Sequence, residues 1–243
     1  ALESAIQLEP RDPGVWSNYC AALQDLGDFD SALAAADRAL ALDPQNAQAI
    51  NNQGHVFQEL DQLVKAEARF RKAIQLQPVY ADAYINLGLT LQMQTRTLDA
   101  IEVLQRGLKF EPENPDLHWN LALALLQNAE FENGWKEYEW RWRIPKFSIF
   151  TRQVNAPVWS GGPLKNKILY IYAEQGLGDT LHFARYVPLV ARKGIRVVFE
   201  CAPSLTSLLT FSSGWEDITV VSEPPSNCDA HIPLLSLPRI FGT

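Results

Sequence analysis

The chain of 243 residues is poor in sulfur, with three cysteines, Cys20, Cys201 and Cys228, and a single methionine. Three widely separated cysteines make neither a disulfide framework nor a zinc set. The expectation is a reducing, cytoplasmic setting, with no metal and no cofactor of the chain's own. No apolar run approaches the roughly 18 residues of a membrane span, and no charged-then-apolar leader opens the sequence. Positive charge is scarce in the first part: residues 1–144 hold 12 Lys and Arg against 21 Asp and Glu, whereas residues 145–243 hold 9 against 7. An acidic first part argues against nucleic acid as its partner, because a phosphate backbone demands a basic face. The asymmetry also points to two units of different origin. With 47% hydrophobic and 20% charged residues, the composition is that of an ordinary globular protein with room for two cores.

What is present is a period. Pro10, Pro44, Pro78 and Pro112 recur every 34 residues, and each of the segments 13–46, 47–80, 81–114 and 115–148 shows two amphipathic helical patterns. A small residue returns early in each second helix, at Ala32, Ala66, Ala100 and Gly134, where two helices must approach closely. Leu40, Ile74 and Leu108, then Leu42, Leu76 and Phe110, close each second helix ahead of its proline.

The stretch "VWSNYCAALQDLGDFDSALAAADRALALDP", with Trp16, Leu23, Gly27, Phe29, Ala32 and Pro44, resembles the tetratricopeptide repeat. That resemblance implies antiparallel helix pairs stacked into a superhelix over residues 1–144. Asp61 and Thr95 stand where the inter-helix turn should have glycine, which predicts looser turns there. The fourth repeat loses the proline register and reads as a junction. Residues 1–12 look like the second helix of an earlier repeat, so the chain reads as part of a longer solenoid.

In this family the first helix of each repeat lines the concave face. Asn18, Asn52, Asn86 and Asn120 occupy one position of that helix in all four repeats. An amide both donates and accepts, so a row of amides can hold an extended peptide by its backbone. The row is similar to the asparagine ladder of the O-linked N-acetylglucosamine transferase solenoid. The other reading is that asparagine bonds within the scaffold. Ser17, Gln24, Asn51, His55, Gln58 and Gln92 surround the row, and no Lys or Arg is there to clamp a carboxylate. Beyond it, "ENGWKEYEWRWRIP" sets Trp135, Tyr138 and Trp142 on one helix stripe that Pro145 ends. Aromatics of this kind stack on sugars or pin a domain junction, and burial is the stronger reading.

Past a linker, 145–165, the period changes. Strands at 166–174, 195–202, 218–223 and 230–237 alternate with helices at 179–194, kinked at Pro188, and 203–214, which implies a parallel sheet over 166–243. The longer helix should turn Leu181, Ala184, Tyr186, Val187 and Val190 inward. The loop "AEQGLGD" lies at the carboxyl end of the first strand, where such sheets bind ligands. Leu181 breaks the dinucleotide glycine fingerprint.

The stretch "AEQGLGDTLHFARYVPLVARKGIRVVFECAPSL" resembles the Rossmann-like N-terminal half of a GT-B glycosyltransferase, closest to the ADP-heptose:lipopolysaccharide heptosyltransferases. The resemblance implies that Asp179 is the base toward an acceptor hydroxyl, with Glu174 a weaker candidate. Gly176 and Gly178 would let the backbone approach the ligand, and His182 and Arg185 would face it. Read from the residues alone, Asp179 is equally a helix N-cap, which makes a poor base.

The fold class expected is therefore an all-α solenoid followed by an α/β Rossmann-like sheet. A nucleotide-sugar donor would need a second half beyond residue 243. The leading function is a peptide-binding scaffold joined to a glycosyltransferase-like acceptor half-domain, as in a protein glycosyltransferase. The alternatives are a non-catalytic interaction scaffold and, more weakly, heptosyl transfer. An open sheet edge would favour oligomers.

Overall fold

The computed structural model describes residues 6–243. Most of the segment read as the tail of an earlier repeat is covered: residues 6–8 are helical and residues 1–5 lie outside the described part. The chain divides into two compact units, Ala1–Arg141 and Trp142–Thr243.

The first unit consists of helix pairs in the predicted register: α1 (Pro13–Asp25) with α2 (Phe29–Leu42), α3 (Ala47–Glu59) with α4 (Leu63–Leu76), α5 (Ala81–Met93) with α6 (Thr97–Leu108), and α7 (Pro115–Gln127) with α8 (Phe131–Tyr138). Side-chain caps start several of them. Asp12 accepts from the Gly14 N–H, Asn46 from the Ala49 N–H, and Asn114 from the Asp116 and Leu117 N–H groups. The helices α2 and α4 stop two residues before Pro44 and Pro78, since a residue before proline is pushed out of the helical region, and α6 ends at Leu108, four residues ahead of Pro112. Ala32, Ala66 and Ala100 are fully buried where paired helices touch. Gly134 does the same in the fourth pair, where a Cβ would lie 2.7 Å from Leu126 Cδ2. One apolar core runs from Ile50 to Leu125 through Phe70, Tyr84, Leu87 and Leu104.

The turns inside the pairs are not loosened by the loss of glycine. Gly27, Asp61, Thr95 and Ala129, again 34 residues apart, all take a left-handed backbone with φ between 56° and 74°. The closing bonds repeat almost without change: Asp28 N–H to Leu23 O at 2.9 Å, Gln62 to Phe57 at 2.8 Å, Arg96 to Leu91 at 2.8 Å, and Glu130 to Leu125 at 2.9 Å. This is the six-to-one bond that satisfies the orphan carbonyl at a helix end. Packing of the two helices imposes the conformation, and the non-glycine residues bear about 1–2 kcal/mol of Cβ strain each.

The aromatic stripe ends sooner than expected. The helix α8 stops at Tyr138 and the chain continues as 3-10 turns over Glu139–Arg143 and Pro145–Phe150, so Trp135, Tyr138 and Trp142 do not share one helix face. Tyr138 instead gathers Trp119 and Trp135, with ring centroids at 4.9 and 5.2 Å. Trp140 stacks on His118 at 3.7 Å. Arg141, which the sequence did not single out, is fully buried, donating to the Tyr138 carbonyl and to Glu139.

The second unit carries a four-stranded parallel sheet in the order β3-β2-β1-β4, formed by β1 (Ile168–Tyr172), β2 (Arg196–Glu200), β3 (Ile218–Val221) and β4 (Ala230–Pro233). The strand β1 sits at the centre, with Tyr170 opposite Val198 on one side and His231 on the other. Two sequence expectations need correction. The helix expected over 179–194 begins at Leu177 and is broken: α9 (Leu177–Phe183) gives way to a 3-10 turn at Ala184–Tyr186 before α10 (Val187–Ala191). Pro188 has no N–H to bond the Ala184 carbonyl. The break also rotates the first turn, leaving Leu181 45% exposed while Ala184, Tyr186, Val187 and Val190 are buried. The last strand, expected over 230–237, ends at Pro233, and a 3-10 turn and α12 (Leu237–Phe241) follow. The helix after β2, α11, spans Pro203–Thr210.

The segment read as a linker is packed. Trp159 is 3% exposed, and its backbone N–H bonds the His231 carbonyl at 2.8 Å while the His231 N–H bonds Pro157 O at 3.0 Å, which covers part of the β4 edge.

Replacing Thr95 or Asp61 by glycine removes the Cβ strain at the cost of a more flexible unfolded chain, so each change is expected to stabilise the protein by up to about 1 kcal/mol. Thr95, being β-branched, should gain more. Thermal denaturation checks this; a loss of stability in both variants would contradict the account of the turns.

Candidate groove and sheet-end loop

Two places gather the residues singled out by sequence. The first lies across the first helices of successive repeats, where a cavity of about 290 Å³ opens between α1, α3 and α5. Gln24, Asn52, His55 and Asn86 line it, together with Asp25 and Asp82. Burial differs along the asparagine row: Asn18 is exposed, Asn86 partly buried, and Asn52 and Asn120 are buried.

The amide donors of Asn52, Asn86 and Asn120 are spent inside the scaffold. Asn52 Nδ2 donates to the Ser17 carbonyl at 2.9 Å and to Ser17 Oγ at 3.2 Å. Asn86 Nδ2 donates to Asn51 Oδ1 at 3.2 Å, and Asn120 Nδ2 to the Asp116 carbonyl at 2.8 Å within its own helix. Asn18 accepts from Gln48 at 3.3 Å. Neighbouring glutamines add further ties between repeats. Gln24 donates to the Asn52 carbonyl at 2.6 Å, Gln58 to Met93 Sδ at 3.4 Å, and Gln92 to Gln127 at 3.0 Å. Each such bond contributes about 1 kcal/mol net, so those of Asn18, Asn52 and Asn86 staple one repeat to the next. The acceptor side is left for the cavity: the Oδ1 atoms of Asn52 and Asn86 have no hydrogen-bond partner among the described residues.

The charge of the cavity has one sign. Asp25 and Asp82 line it without any Lys or Arg. Burial, and then the neighbouring Glu111 and Asp116, push the Asp82 carboxyl above its ordinary value. Further along the same face the character changes, because the position of His55 in α3 is taken by Leu89 in α5 and Leu123 in α7, both partly exposed.

The second place is the carboxyl end of the sheet. The loop after β1 carries Gln175 with a left-handed backbone and then opens α9. Asp179 Oδ2 accepts from the Gly176 N–H at 3.2 Å, the bond of a helix-capping carboxylate. That N–H is therefore not free for an incoming anion. Gly176 and Gly178 are exposed, as are His182 and Arg185 on the outer side of α9 and the turn after it. Glu174 is 2% exposed and accepts from the Leu235 N–H at 3.1 Å, at the point where chain order reverses between β1 and β4.

Sequence reasoning missed a polar cluster beside this loop. A cavity of about 320 Å³ at the ends of β1 and β2 is lined by Arg152, Glu174, Gln175, Glu200 and Cys201. Arg152 donates to Glu200 at 2.9 Å, and the Tyr170 hydroxyl donates to the same carboxylate. Burial, followed by Glu200, drives the Tyr170 phenol up, and burial raises the Cys201 thiol, so both stay protonated at neutral pH. A carboxylate at a strand end was the available signal, but its partner Arg152 lies in the segment read as a linker. Among the described residues, no group of three or more His, Cys, Asp or Glu is placed to hold a metal ion, and no helix is long and apolar enough to cross a membrane.

Tetratricopeptide repeat profiles match residues 13–46, 47–80 and 98–128. The chain contains tetratricopeptide repeats. Among solved structures it is similar to Pseudomonas aeruginosa PilF, with 19% identity over 88% of this chain and 84% of that one and a TM-score of 0.56. It is also similar to a thermophilic tetratricopeptide protein of Thermus thermophilus, with 18% identity over 61% and 81% and a TM-score of 0.55. These likenesses establish the fold of the tetratricopeptide region. No curated protein sequence matches the chain closely enough to count as a relative.

Because Asn52 is the buried donor to Ser17, Asn52→Ala is expected to cost about 1–3 kcal/mol, the penalty of orphaning a buried polar group. Asn18→Ala, on an exposed acceptor, should stay within about 0.5 kcal/mol. Chemical denaturation measures both, and equal small losses would contradict the internal role of the row.

Proposed function

We propose that the tetratricopeptide region holds an extended polypeptide across α1, α3 and α5, and that the α/β unit is the acceptor-side half of a glycosyltransferase-like domain. The observation that carries the first part is the cavity between first helices, lined by unpartnered amide carbonyl oxygens that match the N–H groups of an extended chain. The second part is supported by a parallel sheet whose order reverses beside the loop holding Glu174 and Asp179, the place where ligands bind in such sheets. In a Rossmann-like half of this kind the loop receives the acceptor and the nucleotide sugar belongs to a separate half. A protein glycosyltransferase would use the groove to present a polypeptide to that loop.

A second reading has its own support. Asp179 is engaged as a cap, and Glu174 is buried and bonded, which suits an α/β unit that serves as a non-catalytic interaction scaffold.

Ala21 borders the cavity and is half-buried, so Ala21→Trp fills the groove without entering the core. Against a library of short random peptides, this variant is expected to lose at least about tenfold in affinity, roughly 1.4 kcal/mol, at unchanged thermal stability. Peptides that bind both forms alike would remove the groove reading. For the loop, sugar transfer from a nucleotide-sugar pool to bound peptide should fall by about 100-fold or more in Asp179→Asn. Transfer undiminished by that change would exclude Asp179 as base, and absence of transfer in both proteins would favour the scaffold.

A further inference from the structure

Two side chains of the groove carry an acceptor atom without a hydrogen-bond partner among the described residues. Asn52 is nine-tenths buried and lines the cavity; its Nδ2 is tied to Ser17, and its Oδ1 has no hydrogen-bond partner among the described residues. His55 Nδ1 is buried without a hydrogen-bond partner, and His55 Nε2 lies 3.8 Å from Glu59. In the tautomer that carries its proton on Nε2, toward that carboxylate, Nδ1 is an acceptor. Asp25 and Asp82 contribute carboxylates to the same cavity, and Ala21 and Ile85 contribute apolar wall. A site made of acceptors and negative charge requires a ligand made of donors and positive charge.

We infer that the groove selects an extended peptide bearing an arginine side chain, whose guanidinium sits between Asp25 and Asp82 within reach of Asn52 Oδ1 and His55 Nδ1. This rests on the groove reading above and adds its chemistry. Arginine fits better than lysine because its five donors spread in a plane toward several acceptors, whereas an ammonium is a single point of charge. Its aliphatic stem lies against Ala21 and Ile85, as the stems of long cationic side chains do on apolar surface. The acidic balance of the whole first unit would draw such a peptide in, and a bound cation would offset the burial, and then the neighbouring Glu111 and Asp116, that raise the Asp82 carboxyl. Leu89, Met93 and Leu123, all exposed further along, suit apolar side chains on the same peptide.

The test selects binders from a displayed library of short random peptides on the full chain, then resynthesises those that Ala21→Trp excludes. Arginine is expected in them, and replacing it by citrulline, which keeps the shape and loses the charge, should weaken binding about tenfold or more. In an Asp25→Asn, Asp82→Asn protein, whose substitutions remove charge and leave volume, arginine and citrulline peptides should bind alike. Peptides excluded by Ala21→Trp that lack arginine, or that bind equally with citrulline, overturn the selection for arginine and leave the groove standing. A library that yields no peptide excluded by Ala21→Trp overturns both.

Discussion

Every helix pair of the first unit closes through one residue with a left-handed backbone, and the rest of the unit depends on that constraint. The turn sets the angle at which the second helix returns, so that a small residue meets the first helix at the same height each time. Gly27 adopts the conformation at no steric cost; Asp61, Thr95 and Ala129 are held in it by the packing on either side. With the closure identical in all four pairs, the first helices stand in register. Asn18, Asn52, Asn86 and Asn120 then form one line, and a groove with one chemical character can open across several repeats.

The register explains both halves of what the asparagines do. An amide on one first helix lies beside the first helix of the preceding repeat, so its donor finds Ser17 or Asn51 there. Its carbonyl oxygen is left without a partner among the described residues. A row that staples the solenoid therefore also lines it with acceptors, and the scaffold reading and the ladder reading describe opposite ends of one side chain.

Legibility in the sequence followed the range of the interaction. The period, the helix pairs and the close contacts at Ala32, Ala66, Ala100 and Gly134 were readable because each repeats locally. The looser turns expected at Asp61 and Thr95 are absent, because the six-to-one bond that keeps those turns tight depends on two packed helices. The partners of Asn52 and Gln24 were hidden because a residue's place on a helix face says nothing of which end of its amide is occupied. In the second unit the strands were clear from their apolar runs, but the helix break at Ala184–Tyr186 follows from a missing N–H at Pro188 that was read only as a kink. Arg152 reached Glu200 from a segment without periodic pattern, which offers no local signal at all.

The two units differ in chemistry as well as architecture. In the first, the exposed potential is negative and the free groups in the cavity are acceptors. In the second, the loop at the sheet end ties up its own carboxylates, Asp179 on Gly176 and Glu174 on Leu235. Photo-cross-linking tests most directly whether a polypeptide lies along the first helices. With a benzophenone on a peptide selected against this chain, adducts should map to α1, α3 and α5, at residues such as Ile85 and His55. Adducts confined to α2, α4 and α6 would contradict it.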